Sequence, residues 1–339
     1  MNSFLDPALL FFAFGVLAGA LKSNLEIPKS ISRFLSLYLL MALGLKGGFA
    51  LAKSGLTAEV VTSLACAIAL AIVIPALSFF LLRRFVSAFD AAAIAATYGS
   101  VSAVTFITAV QYLESHGIGY GGHMAAAMAL MESPAIVLAV LAANVLRQRA
   151  QASAAVATQG GAAVLRSGPA SGLPPGLPLG RVLHESLTDG AQLLLLGAMV
   201  VGLLSGDAGK ASMQPFSGDL FKGMLAFFLL DMGLLTARNL GQLKGAPASL
   251  LAYGILAPLV HAGLALVLCV VTGMSVGNGA LLMVLAASAS YIAVPAVLRH
   301  AMPEARPSLY FGMSLGLTFP FNILLGIPLY ASVAAHFLT

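Results

Sequence analysis

The 339-residue chain has no tryptophan, two cysteines and little charge: 17 lysines and arginines against 12 aspartates and glutamates, 9% in all. Soluble domains carry about 25% charged residues. A chain this poor in charge cannot cover a water-facing surface, which excludes an ordinary soluble enzyme. Its 60% hydrophobic content excludes disorder, which needs low hydrophobicity and high charge. Cys66 and Cys269 lie in separate apolar runs with no CxxC or Cys/His spacing, so the sequence offers neither a disulfide scaffold nor a metal motif. It contains no HExxH, GxSxG or P-loop lysine, which leaves hydrolytic and nucleotide chemistry without an anchor and argues against an enzyme. Without tryptophan, an interfacial aromatic belt rests on Tyr38, Tyr112, Tyr120, Tyr253 and Tyr310.

Long apolar runs dominate what is present, and mean hydropathy is +0.98. A helix needs about 20 apolar residues to cross about 30 Å of hydrocarbon. Ten such runs fall near 6–22, 32–52, 58–82, 90–113, 119–146, 184–206, 218–237, 246–272, 277–299 and 307–337. They are too long and too uniformly apolar for barrel strands. The isoelectric point near 9.3 does not signal nucleic acid, because the bases sit in the gaps between runs. With an outside N-terminus, the inner gaps hold Lys22, Lys29, Arg33, Arg83, Arg84, Arg147, Arg149, Arg166, Arg181, Arg238, Lys244, Arg299 and Arg306. The outer gaps hold only Lys53, Lys210 and Lys222. The positive-inside rule then places both termini outside. The first run has no basic leader before it and no clean cleavage site after it, so it reads as a retained span.

Residues 148–183 are rich in Ala, Gly, Ser and Pro and read as a disordered cytoplasmic linker. The linker separates a first five-span repeat, 1–147, from a second, 184–339. An odd number of spans per half inverts the second half, the architecture of an inverted-repeat transporter. Leu43-Gly44-Leu45 matches Met232-Gly233-Leu234 at an offset of 189, and Gly99-Ser100 matches Ala289-Ser290 at 190. Glu132 maps onto Asn322, again at 190.

Spans four and nine concentrate small and hydroxyl residues at mid-depth: Gly99, Ser100, Val101, Ser102 and Thr105 in one, Ser288, Ala289, Ser290 and Tyr291 before Pro295 in the other. Close helix packing produces such stretches, and so does a helix break. A break at membrane depth survives only inside protein or beside a watery cavity. Freed N–H groups then attract an anion, while freed carbonyls and hydroxyls attract a cation. Two carboxylates lie within spans. Glu132, with Ser133 and the carbonyl freed by Pro134, offers hard-cation ligands. Asp231 is expected to partner Lys46 across corresponding spans.

At these motifs the chain resembles the sodium-dependent bicarbonate transporter family of cyanobacteria and bacterial relatives. The resemblance rests on Leu43-Gly44-Leu45-Lys46-Gly47-Gly48, on 99–105, on Met131-Glu132-Ser133-Pro134, on 286–290 with Pro295, and on Pro307–Gly312 and Ile327–Tyr330. It implies an all-α polytopic protein of ten transmembrane helices, a 5+5 inverted repeat whose spans four and nine are crossed broken helices. It implies a bacterial inner-membrane homotrimer and a PII-like cytoplasmic regulator. It implies a secondary transporter taking up bicarbonate with sodium as coupling ion, and no other cofactor. Gly99, Ser100, Val101, Ser102, Thr105, Ala289, Ser290 and Tyr291 would bind the anion; Glu132, Ser133, Ser288 and Asn322 would bind sodium. Tyr291 stands where the family carries an acidic residue. A passive facilitator, or a membrane sensor or scaffold on the same fold, are the alternatives.

Overall fold

The computed structural model describes residues 6–55, 57–159, 190–243 and 245–338. Those residues are helical, with no strand among them. The helices are α1 (Pro7–Ala20), α2 (Lys29–Ser54), α3 (Ala58–Leu82), α4 (Ala88–Gly99), α5 (Ala103–Ser115) and α6 (Met124–Gln159), then α7 (Gly190–Gln214), α8 (Phe221–Leu240), α9 (Ala248–Thr272), α10 (Val276–Ala287) and α11 (Ala293–Ala301). The last helix, α12 (Pro307–Phe337), carries π-turns at Ser314–Thr318 and Asn322–Gly326. Among the described residues seven stretches are long and apolar enough to cross a membrane, the pattern of a multi-pass membrane protein. Two of the seven are compound: Ala88–Ser115 holds α4 and α5, and Gly190–Leu240 holds α7 and α8. α6 continues to Gln159, into the stretch expected as linker, and the rest of that stretch lies outside the described residues.

Local chemistry sets the helix starts. Asp6 caps α1 by accepting from the Ala8 N–H at 2.8 Å, with Pro7 at the first helical position. Ser87 caps α4 and Ser102 caps α5 through the N–H groups of Asp90 and Thr105. Side-chain oxygens there satisfy donors that a helix start cannot.

Glycine sets the helix pairing. α7 packs along α2, and α8 along α1. A Cβ at Gly44 or Gly48 would strike the carbonyls of Leu195 or Met199, and one at Gly202 the carbonyl of Leu45. In the other pair, a Cβ at Gly15 would strike the Leu230 carbonyl and one at Gly233 that of Phe12. Lipid offers no hydrophobic drive for helix association, so close backbone approach through small residues holds these pairs. Gly48→Ala is expected to cost about 1–3 kcal/mol by overpacking. A thermal melt in detergent as stable as the wild type would contradict that.

The core lies between the pairs and the broken helices, with Phe12, Phe106, Phe228 and Phe319 fully buried. α3 and α9 are the least buried of the candidate spans, and Val61, Phe80, Val260 and Val271 on them are exposed apolar side chains. These are faces for lipid or for another protein surface.

Two ion pairs tie loops to helices. Arg306 donates to Asp90 through Nε at 3.0 Å and Nη2 at 2.9 Å. Arg147 donates to Glu304 from Nε at 2.7 Å and Nη2 at 2.8 Å, and to the Ala301 carbonyl. Arg147 holds the Glu304 carboxyl below its ordinary value of 4.5. A carboxylate whose folded pKa is depressed contributes stability above its unfolded pKa and loses it as pH falls through the folded one. Acidification below about pH 4.5 is therefore expected to loosen the α6–α11 contact, and Glu304→Gln to remove that acid-side loss. Thermal unfolding against pH checks this; identical acid limbs in the two proteins would contradict it.

Candidate functional site

The two breaks that the sequence suggests are present, and they meet. α4 ends at Gly99, Ser100 is extended at φ −99° and ψ −178°, and α5 restarts after Ser102. α10 ends at Ala287, Ser288 is extended, and α11 begins at Ala293. The Ser290 N–H donates to the Thr97 carbonyl at 2.8 Å, and the Ser102 N–H to Ser288 Oγ at 3.0 Å. Gly99 is required here because a Cβ would lie 2.5 Å from Pro75 Cβ. Proline inside α3 thus faces the end of α4.

A cavity of about 260 Å³ opens on this junction. Its polar wall is Ser36, Ser102, Glu132, Gln192, Ser290 and Tyr291; Leu40, Val101, Val104, Met128, Ile136, Leu195 and Ile292 make much of the rest. The first residues of α5 and α11, Ala103, Val104 and Ala293, also line it. The opening N–H groups of a helix have no intrahelical acceptor. At α5, the Thr105 N–H goes to Ser102 Oγ and the Phe106 N–H to the Ser102 carbonyl, leaving the donors of Ala103 and Val104. At α11, the Val294 N–H goes to Ser290 Oγ and the Ala296 N–H to the Ile292 carbonyl. Pro295 has no N–H to leave unpaired, so the donor of Ala293 remains. Two helix N-termini, each with partial positive charge, thus face one small space.

The acceptor side is closed by protein donors. Besides Thr97, the Leu285 carbonyl accepts from Ser288 Oγ at 2.9 Å, and the Ala287 carbonyl from Asn322 Nδ2 at 2.8 Å. Tyr330 donates to Asn322 Oδ1 at 3.0 Å. The junction therefore turns donors toward the cavity and keeps most carbonyls for itself.

The expected site residues divide accordingly. Val101, Ser102, Ser290 and Tyr291 line the cavity, whereas Gly99, Ser100, Thr105 and Ala289 stand behind it. Ser100 is buried with no partner for its hydroxyl, and Thr105 Oγ1 donates to Ser102 Oγ at 2.9 Å. Glu132 lines the cavity, and its Oε2 accepts from Gln192 Nε2 at 2.6 Å. Ser288 and Asn322 belong to the carbonyl network instead and are not gathered around Glu132. The side chain of Ser133 lies outside the described residues. Tyr291 packs edge-on against Phe319, with its hydroxyl 3.7 Å from Met232 Sδ. The Lys46–Asp231 pairing is not formed. Lys46 binds Glu114 at 3.0 Å and lies 4.1 Å from the centre of the Phe221 ring, and Asp231 is near Ser32 instead. Lys46 sits toward the end of α2 and Ser32 at its start, so the lysine stem cannot span the difference. Gln192 was the residue that sequence reasoning missed. Its signal was present: it is the one amide in an apolar run from 190 to 204.

A smaller cavity of about 90 Å³ lies between α1, α5, α8 and α12, lined by Leu9, Thr108, Gln111, Leu225 and Ile323 among others. Leu225 follows Ser36 of the larger cavity by 189 residues, the offset expected from the sequence for a repeat.

Paired helix breaks around a small donor-lined cavity, inside a multi-pass bundle, define a membrane transporter rather than a soluble catalyst. The chain belongs to the Na+-dependent bicarbonate transporter superfamily, whose family model matches residues 7–335. No curated protein matches the chain.

Proposed function

We propose that the protein is a secondary transporter that takes up a small monovalent anion, bicarbonate, into a bacterial cell with sodium as the coupling ion. The observation that carries the reading is the facing of the α5 and α11 N-termini across the 260 Å³ cavity. Helix N-termini bind anions through unpaired N–H groups and the helix dipole, and discontinuous helices supply such termini at mid-membrane in transporters.

The compound stretches support a count of ten spans. Gly190–Leu240 has 51 residues, about 75 Å as helix, and turns at Gly206 (φ 54°) and at Pro215–Asp219. Counting α7 and α8 separately, each broken pair once, and α1 gives ten spans in a 5+5 inverted repeat. The glycine-mediated pairs support it, since inverting the repeat exchanges α1–α8 with α7–α2. The two cavities lie at opposite ends of α5, as alternating access from two faces requires.

Coupling has a physical motive. Glu132 is the one carboxylate on the cavity among the described residues. An anion entering beside it is repelled unless a cation, or a proton on Glu132, enters too. Glu132, not Asn322 or Ser288, is therefore the cation-binding group in this reading. The closed carbonyls favour a second reading, an uncoupled facilitator, because they leave few further ligands for sodium. Thermal-shift titration with bicarbonate, nitrate and chloride, with and without sodium, tests both. Coupled transport predicts a bicarbonate shift that grows with sodium. A sodium-independent shift supports the facilitator, and no shift with any anion removes the anion reading.

A further inference from the structure

A vestibule of about 930 Å³ occupies the end of the bundle where α2, α5 and α7 finish. Lys46, Lys53, Lys210 and Lys222 all face it, against Glu114, Asp207 and Asp219. Lys46 is held by Glu114, while among the described residues no ion pair holds the other three lysines. Lys53, Lys210 and Lys222 are the bases assigned by sequence to the outer gaps. An anion approaching that face therefore meets a mildly positive mouth.

Gln111, on α5, lines both this vestibule and the 90 Å³ cavity next to it. It is only 5% exposed, and neither Nε2 nor Oε1 has a hydrogen-bond partner. Among the described residues it is the one buried side-chain amide with both ends unpaired. Buried polar groups in native proteins are almost always satisfied, so such an exception points to a water, an ion or a ligand. The carboxylate on the smaller cavity, Asp6, accepts from the Ala8 N–H, and Thr108 Oγ1 donates to the Val104 carbonyl.

We propose that Gln111 selects the transported anion on its way in from the vestibule, by two-point pairing with an oxyanion that retains one O–H. A side-chain amide presents N–H donors and a carbonyl acceptor side by side. Bicarbonate matches both, accepting from Nε2 through a charged oxygen and donating its hydroxyl to Oε1. Nitrate and chloride have no proton to give, so Oε1 would face a bare anion across a desolvated gap. A site built to bond a hydroxyl rejects analogues that lack it.

The inference rests on the anion reading above, and the test separates the two. Initial rates of labelled-bicarbonate uptake into proteoliposomes are measured with nitrate as competitor, for the wild type, Gln111→Leu and Ser102→Leu. Gln111→Met, unbranched and of similar length, serves if leucine prevents folding. Losing one charge-assisted and one neutral hydrogen bond is expected to raise the KM for bicarbonate at least about tenfold, with the maximal rate and the nitrate inhibition constant nearly unchanged. Gln111→Asn should recover part of the discrimination. An unchanged KM in a monodisperse Gln111 variant, or equal weakening of both anions, overturns the role of Gln111. If that occurs while Ser102→Leu abolishes uptake, the anion reading stands alone. If the wild type takes up no bicarbonate, both fall.

Discussion

Ser102→Leu is expected to reduce uptake at least about a hundredfold, equivalent to about 2.7 kcal/mol, in a protein that still folds. Ser102 is a wall of the 260 Å³ cavity and the cap of α5. Leucine there projects bulk into the space before Ala103 and Val104 and covers their N–H groups. It also removes the cap, worth about 1 kcal/mol, so Ser102→Ala is the control: it loses the cap and leaves the cavity open. Uptake close to wild type in Ser102→Ala with near-complete loss in Ser102→Leu places the anion at this wall. Full activity of a well-expressed Ser102→Leu would move the site elsewhere.

The second large effect concerns Glu132. Two like charges about 6 Å apart, at an effective dielectric near 20, repel by about 3 kcal/mol, roughly a hundredfold in binding. An anion sharing the cavity with ionised Glu132 meets a penalty of that order unless a cation or proton comes with it. Glu132→Gln keeps the side chain's volume and can still hydrogen-bond Gln192. It should therefore abolish the dependence of uptake on sodium or on pH while the protein continues to bind the anion. Uptake that remains as sodium-dependent as in the wild type would remove Glu132 from coupling. Loss of all anion binding in a folded mutant would mean that the carboxylate organises the site rather than answering the anion's charge.

Much of this architecture could be read in the sequence because membrane physics leaves few choices. Helices announce themselves as long apolar runs, and the run at 307–337 coincides with α12. The breaks were legible because serine and glycine at mid-depth are unusual, and α4 and α10 do end at Gly99 and Ala287. What stayed hidden was the partner of each polar atom, since that depends on helix rotation and tilt. Sequence spacing made Asn322 look like a counterpart of Glu132. In the fold its amide lies in a π-turn and closes the Ala287 carbonyl. Lys46 and Asp231 were expected to meet, yet Lys46 pairs with Glu114 while Asp231 lies near Ser32, because the two residues approach different ends of α2. Gly15, Gly44, Gly48, Gly202 and Gly233 carried a packing message that composition alone could not assign. Only the paired helices show which backbone each one touches.

The central claim is that the paired α5 and α11 N-termini hold a small anion during transport. Its most direct test is the initial rate of labelled-bicarbonate uptake into proteoliposomes of the wild-type protein, with and without an inward sodium gradient. The account predicts saturable uptake that the sodium gradient accelerates and that Ser102→Leu eliminates. Uptake no faster than in protein-free vesicles under both conditions would contradict it.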